Sequence, residues 1–564
     1  MKKILFALAI LLGASLSNAL ACTNLLLSKG STRDGSTIIT YAADSHTRYG
    51  QLRYHPATNH KPGEMLALYD YGSMQYRISI PQPAHTYNVV GFINEHQLAI
   101  GETTWGGRKE LEKGNANGID YGNLMYVALQ RARNCREAIA VMDSLTAKYG
   151  YASGGESFSL CDPQEVWIYE IIDKGDELGA VWVARRLPEG YISGHANQAR
   201  ISTFPLESKN VKKNHKSISS KNMKYINDPE VECVYSSDVI SFARKNGWYK
   251  GEDKDFSFCD VYNPITFSGA RACDARVYAM FRRVCDSIQV YEDYAMGHNL
   301  SHRMPLWIKP DHKIDVQEVM SLMRDHYEGT PMDMTQDVGA GPFHCPYRWR
   351  PMGFKVNGKE YVHERAISTQ QTGFSFVAQC RDWLPNKEGG VLWFGVDDTY
   401  STCYCPMFCG ITEIPYCFRE GNGSMTQYSS TAAFWLFNRV SNFCYLRYDA
   451  MIPLVQKVQH ELESRFIGQV AEMDKKYAQS EASAQQRILN EASDLMAKNM
   501  MSCWKELDEH LLVKFIDGNI KREDENGNFK TTPTGVVAFP EQPAYPDWFY
   551  QQIVDDRGDI LEVK

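Results

Sequence analysis

The sequence lacks several features that would place it in common protein classes. After residue 16 it has no apolar run long enough to cross a bilayer, so no transmembrane span is expected in the mature protein. It has no excess of basic residues, because the formal net charge is -8. A nucleic-acid partner is therefore not expected, since such a partner needs a basic face. It has no internal repeat or low-complexity tract. What remains is 564 residues that are 43% hydrophobic, enough for a large folded core.

The cysteines and histidines lack the spacing of familiar metal or protease motifs. Cys403, Cys405, Cys409 and Cys417 lie close together in the sequence, but they lack the paired two-residue knuckles of common zinc sites. Disulfides or buried thiols are the favoured interpretation. None of the 15 histidines stands in a recognisable Cys/His protease context. We therefore expect no metal and no organic cofactor.

The first residues have the pattern of a signal peptide. Lysines at positions 2 and 3 precede an apolar run, Ile4–Leu16, and Ala19-Leu20-Ala21 supplies the small-x-small pattern read by a signal peptidase. Residues 1–21 are predicted to be removed, which makes Cys22 the first residue of the mature chain. The protein is therefore expected to be exported, either periplasmic or secreted.

The mature chain is predicted to begin with a β-hairpin. Thr23–Leu27 and Thr37–Tyr41 have strand composition, and the segment 29–36 between them is rich in turn residues. Further strands and helices follow without strict alternation, which favours an α+β fold. From Leu454 onward, apolar residues recur at helical spacing. We therefore predict a core over residues 22–453 and a helical C-terminal extension over residues 454–564.

A cysteine at a mature N-terminus carries its own base. A free α-amine titrates near pKa 8, so at neutral pH part of it can accept the thiol proton while the thiolate attacks a carbonyl. Two other interpretations compete: Cys22 is structural, or it is lipidated and anchors the protein to a membrane. A lipidated cysteine usually precedes a flexible linker, whereas Cys22 leads directly into a strand.

The sequence resembles the dipeptidase A/secernin family of N-terminal-nucleophile cysteine peptidases over almost all of the mature chain. The similar blocks, in chain order, are Cys22–Asp44, Asn94-Glu95 with Gly101–Thr104, Gly155–Phe158 with Asp162–Trp167, Val181–Pro188, Ala196–Ile201, Arg324–Thr330 and Glu364–Ser368. Each block alone is a weak signal. Their common order behind a cleavable signal is a strong one.

The resemblance implies a four-layer αββα N-terminal-nucleophile hydrolase sandwich and the hydrolysis of short peptides. It implies that Asp44 orients the Cys22 amine or thiol and that Asn197 helps to hold the oxyanion. Arg276 is a candidate for the arginine near the nucleophile, and Thr103 for a second oxyanion donor. Many family members carry an arginine three residues before the aspartate, where this chain has Tyr41. Tyrosine supplies no fixed positive charge, so either Arg276 or another base takes that role, or the substrate lacks the carboxylate that it would bind.

The sequence thus predicts an exported cysteine dipeptidase that forms an acyl-enzyme on Cys22. Two alternatives remain open. The first is an acylase of the same fold that cleaves a non-peptide amide. The second is a lipid-anchored protein that binds peptides without cleaving them.

Overall fold

The computed structural model describes residues 21–111 and 118–564, so nearly all of the predicted signal peptide lies outside the described residues. The strands in chain order are β1 (Ala21–Leu27), β2 (Thr37–Asp44), β3 (Tyr54–His55), β4 (Thr58–Asn59), β5 (Met65–Tyr69), β6 (Tyr76–Pro81), β7 (His85–Thr86), β8 (Val89–Val90), β9 (Ile93–Asn94), β10 (Ala99–Trp105), β11 (Gly155–Cys161), β12 (Val166–Lys174), β13 (Glu177–Arg186), β14 (Ile192–His195), β15 (Ser217–Ser219), β16 (Cys233–Tyr235), β17 (Trp307–Ile308), β18 (Gly353–Val356), β19 (Lys359–Val362), β20 (Thr372–Cys380), β21 (Val391–Val396) and β22 (Cys405–Phe408). The α-helices are α1 (Tyr121–Arg131), α2 (Cys135–Tyr149), α3 (Val239–Lys245), α4 (Phe258–Tyr262), α5 (Ala275–Arg282), α6 (Glu292–Ala295), α7 (Val316–Leu322), α8 (Asn386–Gly389), α9 (Ala433–Cys444), α10 (Tyr448–Ala478), α11 (Ala482–Lys514) and α12 (Asp547–Arg557).

Two large sheets form the centre of the molecule. The first has seven strands in the order β17-β14-β1-β2-β20-β21-β22, and the second has nine in the order β15-β16-β13-β12-β11-β10-β9-β8-β3. The sheets contact each other through β1 and β2 on one side and β10 and β11 on the other. Helices α5, α7, α9, α10 and α11 contact the first sheet, and α1, α2 and α3 contact the second. The predicted α+β class is confirmed.

The predicted N-terminal hairpin is present, and it places Cys22 inside the first sheet. β1 and β2 pair antiparallel with Cys22 opposite Ala43 and Leu26 opposite Ile39. β14 pairs along the other edge of β1, with His195 opposite Asn24. All eight residues of β2 are buried, because the sheet is covered on both faces. The side chains of such a strand must therefore be apolar or hydrogen-bonded throughout. Cys22 therefore stands near the start of a strand that is paired on both edges.

The predicted C-terminal helices are also present, and α10 is anchored in the core. Glu463 on α10 is completely buried and accepts a hydrogen bond of 2.5 Å from Nη2 of Arg324 and one of 3.0 Å from the Tyr404 amide. The predicted boundary between residues 453 and 454 falls inside α10, which begins at Tyr448. Beyond α11, by contrast, α12 has no buried residue.

Two searches of the described part of the chain bear on membranes and metals. Within residues 21–111 and 118–564, no helix has the length and apolarity required to cross a membrane. The same residues contain no group of three histidine, cysteine, aspartate or glutamate side chains placed to hold a metal ion. Cys403, Cys405 and Cys409 are buried free thiols, and Cys417 is a half-buried one.

Candidate active site

Cys22 is buried at the junction of the two sheets. Its side chain is 1% exposed, and its Sγ lies 3.8 Å from both the Tyr41 hydroxyl and Oε1 of Glu102. Its backbone nitrogen, here the amide of the Ala21–Cys22 bond, donates to Oδ1 of Asn197 at 2.9 Å. Main chain and side chain of this residue are therefore held by different groups.

Arg276 ties the start of β1 to the segment that follows β14. A π-helical turn, Gly269–Asp274, leads directly into α5, of which Arg276 is the second residue; such turns are frequent at functional sites. Its guanidinium is fully buried, and its two terminal nitrogens donate to four acceptors: the Cys22 carbonyl at 2.6 Å, Thr23 Oγ1 at 2.7 Å, the Ala196 carbonyl at 2.8 Å and Asn197 Oδ1 at 2.9 Å. A planar group with several fixed donors suits this role better than an ammonium group would.

Asn197 has a backbone conformation that most residues avoid. Its φ is +65°, in the left-handed region that asparagine tolerates better than most L-residues. Its side-chain amide donates to the Thr104 carbonyl at 2.5 Å, while its oxygen accepts from Cys22 and Arg276. This conformation and these contacts turn the side chain towards Cys22.

Asp44 lies one pair further along the hairpin, opposite Ala21. Its carboxylate accepts from Arg365 at 2.5 Å and from the Thr372 hydroxyl at 2.7 Å. Burial raises the pKa of this carboxyl to about 6, although the charge of Arg365 acts in the opposite direction. The structure thus brings Asn197 and Arg276 into direct contact with Cys22, whereas Asp44 sits beside the Ala21–Cys22 bond and pairs with Arg365.

Thr103 contacts a histidine two residues before Asn197. Its hydroxyl oxygen lies 2.7 Å from Nδ1 of His195, and the Ser159 hydroxyl lies 2.7 Å from Nε2 of the same ring. Burial lowers the pKa of His195 to about 3, so the ring is neutral at physiological pH. His195 is therefore placed to organise the strands rather than to act as the base for Cys22.

Glu102 and Glu156 are site residues that the sequence reasoning missed. They lie on adjacent strands, β10 and β11, with Glu156 opposite Thr104, and their side chains hydrogen-bond to each other. The Tyr41 hydroxyl donates to Oε1 of Glu102. Tyr41 passes close to Gly101, where an added Cβ would lie only 3.2 Å from the Tyr41 Cβ. Tyr41 stands where many family members carry an arginine, and in this chain it hydrogen-bonds to Glu102.

In the chain with an intact Ala21–Cys22 bond, the groups around Cys22 disfavour ionisation of its thiol. Burial raises the pKa of Cys22 well above its ordinary value, and the negative charges of Glu102 and Asp44 raise it further. Activation of the thiol therefore needs a group that takes its proton or cancels the nearby charge.

Comparison with known proteins identifies the class to which this arrangement belongs. A sequence model of peptidase family C69 matches residues 21–461. Because the match spans most of the chain, the protein belongs to peptidase family C69, as the resemblance of the sequence blocks predicted. The match begins one residue before Cys22 and includes every residue of the candidate active site.

Individual relatives are distant but extend over most of the chain. A probable dipeptidase of Latilactobacillus sakei is 22% identical over 448 residues, which are 76% of this chain and 82% of the relative. A probable dipeptidase of Salmonella dublin is 23% identical over 432 residues, or 73% and 86% of the two chains. A dipeptidase of Bifidobacterium longum (strain NCC 2705) is 21% identical over 511 residues, or 84% and 86%.

Proposed function

We propose that the protein is an exported cysteine dipeptidase whose nucleophile is Cys22, the first residue after removal of a signal peptide. The observation that carries this proposal is the position of Cys22: it lies near the start of a central strand, and Asn197 and Arg276, far apart in sequence, both hold its main chain. Membership of peptidase family C69 and the dipeptidase names of the relatives support the substrate class.

The proposed mechanism uses the new N-terminus as its base. Once the Ala21–Cys22 bond is cut, the Cys22 nitrogen becomes an amine with a lone pair, and Asn197 lies within hydrogen-bonding distance to orient it. The amine takes the thiol proton, and the sulfur attacks the peptide carbonyl to form an acyl-enzyme. As the carbon–nitrogen bond breaks, the protonated amine gives the proton to the leaving nitrogen. Water then attacks the acyl-enzyme and gives a proton to the same amine, and that proton passes to the sulfur as the thioester bond breaks. In this scheme Asn197 also helps to hold the oxyanion that forms on the attacked carbonyl. Asp44 lies beside the freed N-terminus.

The proposed fold is the four-layer αββα sandwich of N-terminal-nucleophile hydrolases. It is supported by the two contacting sheets and by the separate sets of helices that pack on each of them. The position of Cys22 near the start of β1, a strand paired on both edges within the first sheet, also supports this fold.

The direct test is substitution of the nucleophile in purified mature protein. Cys22→Ala should abolish dipeptide hydrolysis and Cys22→Ser should leave little, because a hydroxyl is much harder to deprotonate than a thiol. Cys444→Ala is a matched control, since Cys444 is also a buried free thiol but lies at the end of α9. Near-wild-type turnover by Cys22→Ala would contradict the proposal.

Two further measurements separate the proposal from its rivals. A substrate panel of dipeptides and N-acylated amino acids should give turnover mainly with the dipeptides, whereas the reverse preference would indicate an acylase. A mass spectrum of the mature protein should show an unmodified Cys22 at the N-terminus. A lipid mass on Cys22 would indicate a membrane anchor instead.

A further inference from the structure

An acidic pair lies beside the nucleophile, and the mechanism described above gives it no role. Glu102 is 1% exposed and Glu156 is fully buried. Burial raises the pKa of both carboxyls, and the charge of Glu102 raises the pKa of Glu156 further. Because two neighbouring carboxylates do not both ionise readily, the pair favours a state in which the two carboxyls share a single negative charge.

This pair has no cationic partner among the residues that the structure describes. Oε1 of Glu102 accepts from the Tyr41 hydroxyl and Oε1 of Glu156 from the Thr104 hydroxyl. Apart from the contact between the two carboxyls, neither Oε2 atom has a hydrogen-bond partner among the described residues. The guanidinium of Arg48 influences Glu102 but donates to the Tyr71 carbonyl and the Tyr121 hydroxyl.

Two other buried acids, Asp44 and Glu170, have strong donors of their own. Asp44 is paired with Arg365 at 2.5 Å. Glu170 accepts from two backbone amides, those of Arg200 and Ile201. Burying a carboxylate without a cationic partner costs free energy. The pair of Glu102 and Glu156 is therefore suited to bind a positively charged group from outside the protein.

The position of Glu102 matches one group of a dipeptide. In such a substrate the α-ammonium nitrogen is two bonds from the scissile carbonyl carbon, a separation of about 2.5 Å. A carbonyl ready for attack lies about 3–3.5 Å from the nucleophilic atom. A residue that binds the ammonium must therefore lie within a few ångströms of Sγ, and Oε1 of Glu102 is 3.8 Å from it.

We propose that Glu102, supported by Glu156 and Tyr41, binds the α-ammonium group of the substrate and makes the enzyme selective for peptides with a free N-terminus. This inference rests on the proposed function and adds to it the group that recognises the substrate. The bound cation also cancels the negative charge beside Cys22, so the thiolate forms more readily when the correct substrate is present. A substrate without the amine leaves Glu102 uncompensated.

The test uses two substrates that differ only in the amine. Alanyl-alanine carries the ammonium group, and propionyl-alanine has hydrogen in its place. With mature wild-type protein, kcat/KM should be about 100-fold or more higher for alanyl-alanine than for propionyl-alanine. The reason is that only alanyl-alanine can form a buried ion pair with Glu102. Glu102→Gln should reduce this preference at least tenfold through loss of alanyl-alanine turnover, whereas propionyl-alanine, which has no ammonium group to lose, should not be hydrolysed more slowly.

Three matched variants make the result specific. Glu388→Gln changes another buried glutamate whose carboxylate oxygens have no donor among the described residues, on α8, and should keep the full preference. Glu156→Gln removes the neighbouring carboxyl but leaves Glu102 in place, so it should weaken the preference less than Glu102→Gln does. Glu102→Asp retains a carboxylate and should recover part of the preference. If circular dichroism shows that the amide variant does not fold, Glu102→Asp should still prefer the free amine less than wild type does, because its shorter side chain draws the carboxylate away from the substrate amine.

The outcomes separate this inference from the function on which it rests. If Glu102→Gln lowered the rates with both substrates equally, or kept the wild-type preference, the ammonium assignment would be overturned and the dipeptidase proposal would stand. If wild-type protein hydrolysed no dipeptide, the proposed function would fail and this assignment with it.

Discussion

At the scale of single residues, the main chain of Cys22 is held by two side chains from distant parts of the sequence. Asn197 was predicted from its position in a block that resembles the family, and Arg276 was a candidate for the arginine near the nucleophile in family members; both contact Cys22. Glu102 was missed although it lies in one of those blocks. Its signal was a single charge in the otherwise uncharged strand Ala99–Trp105, because a charge in a fully buried strand requires a partner or a purpose.

The role of Arg276 can be tested with the most conservative substitution. Arg276→Lys keeps the positive charge but cannot reproduce four donors in one plane, so the start of β1 and the Asn197 side chain should lose their fixed geometry. We expect kcat to fall by about 100-fold, since small displacements of reacting groups cost about this much. Steady-state kinetics on one dipeptide measures the effect.

Arg33→Lys is the control for Arg276→Lys. The Arg33 side chain is 66% exposed and pairs loosely with Asp315 at 3.5 Å, so activity and stability should remain near wild type. A kcat for Arg276→Lys within twofold of wild type would show that the position of Cys22 does not depend on this guanidinium.

At the scale of secondary-structure elements, local sequence patterns predicted whether a segment is a strand or a helix better than they predicted the residues at which it begins and ends. The hairpin was predicted from two strand-like runs around a turn, but β2 continues to Asp44, beyond the predicted Tyr41. The C-terminal helix was predicted from Leu454, whereas α10 begins at Tyr448. In both cases the additional residues are stabilised by packing against distant strands and helices, which local periodicity does not report.

The contact of α10 with the core predicts a large effect of Glu463. Glu463→Ala would leave the guanidinium of Arg324 buried without its partner, and breaking a buried ion pair from one side costs about 3–5 kcal/mol. We therefore expect a marked drop in the free energy of unfolding, measured by chemical denaturation.

Glu472→Ala, on the exposed face of the same helix, is the matched control and should change stability by less than about 0.5 kcal/mol. Equal stabilities of the two variants would mean that α10 contributes little to the core. In that case the predicted separation between residues 22–453 and the C-terminal helices would gain support.

At the scale of the whole molecule, the site depends on strands that are far apart in the sequence. β1 lies between β14 and β2, and β2 pairs with β20, whose first residue is Thr372. The approach of β10 to β1 and β2 then brings Glu102 to Cys22. Periodicity predicts individual strands but not their neighbours, so the order of strands and the partners of Cys22 could be anticipated only through the family resemblance.

The central claim is that the N-terminal amine of Cys22 is the base of the reaction. In the uncleaved chain this nitrogen is an amide whose lone pair is delocalised into the carbonyl, so it cannot accept a proton near neutral pH. The decisive measurement compares mature protein that begins at Cys22 with a form that carries one uncleaved methionine before it. Mass spectrometry verifies both N-termini, and circular dichroism verifies equal folding.

On a single dipeptide, the extended form should be slower by at least about 10²–10⁴-fold, the usual contribution of a general base, and blocked access to Cys22 would add to the loss. Equal rates from the two forms would show that another group deprotonates Cys22. The N-terminal-nucleophile mechanism would then have to be abandoned.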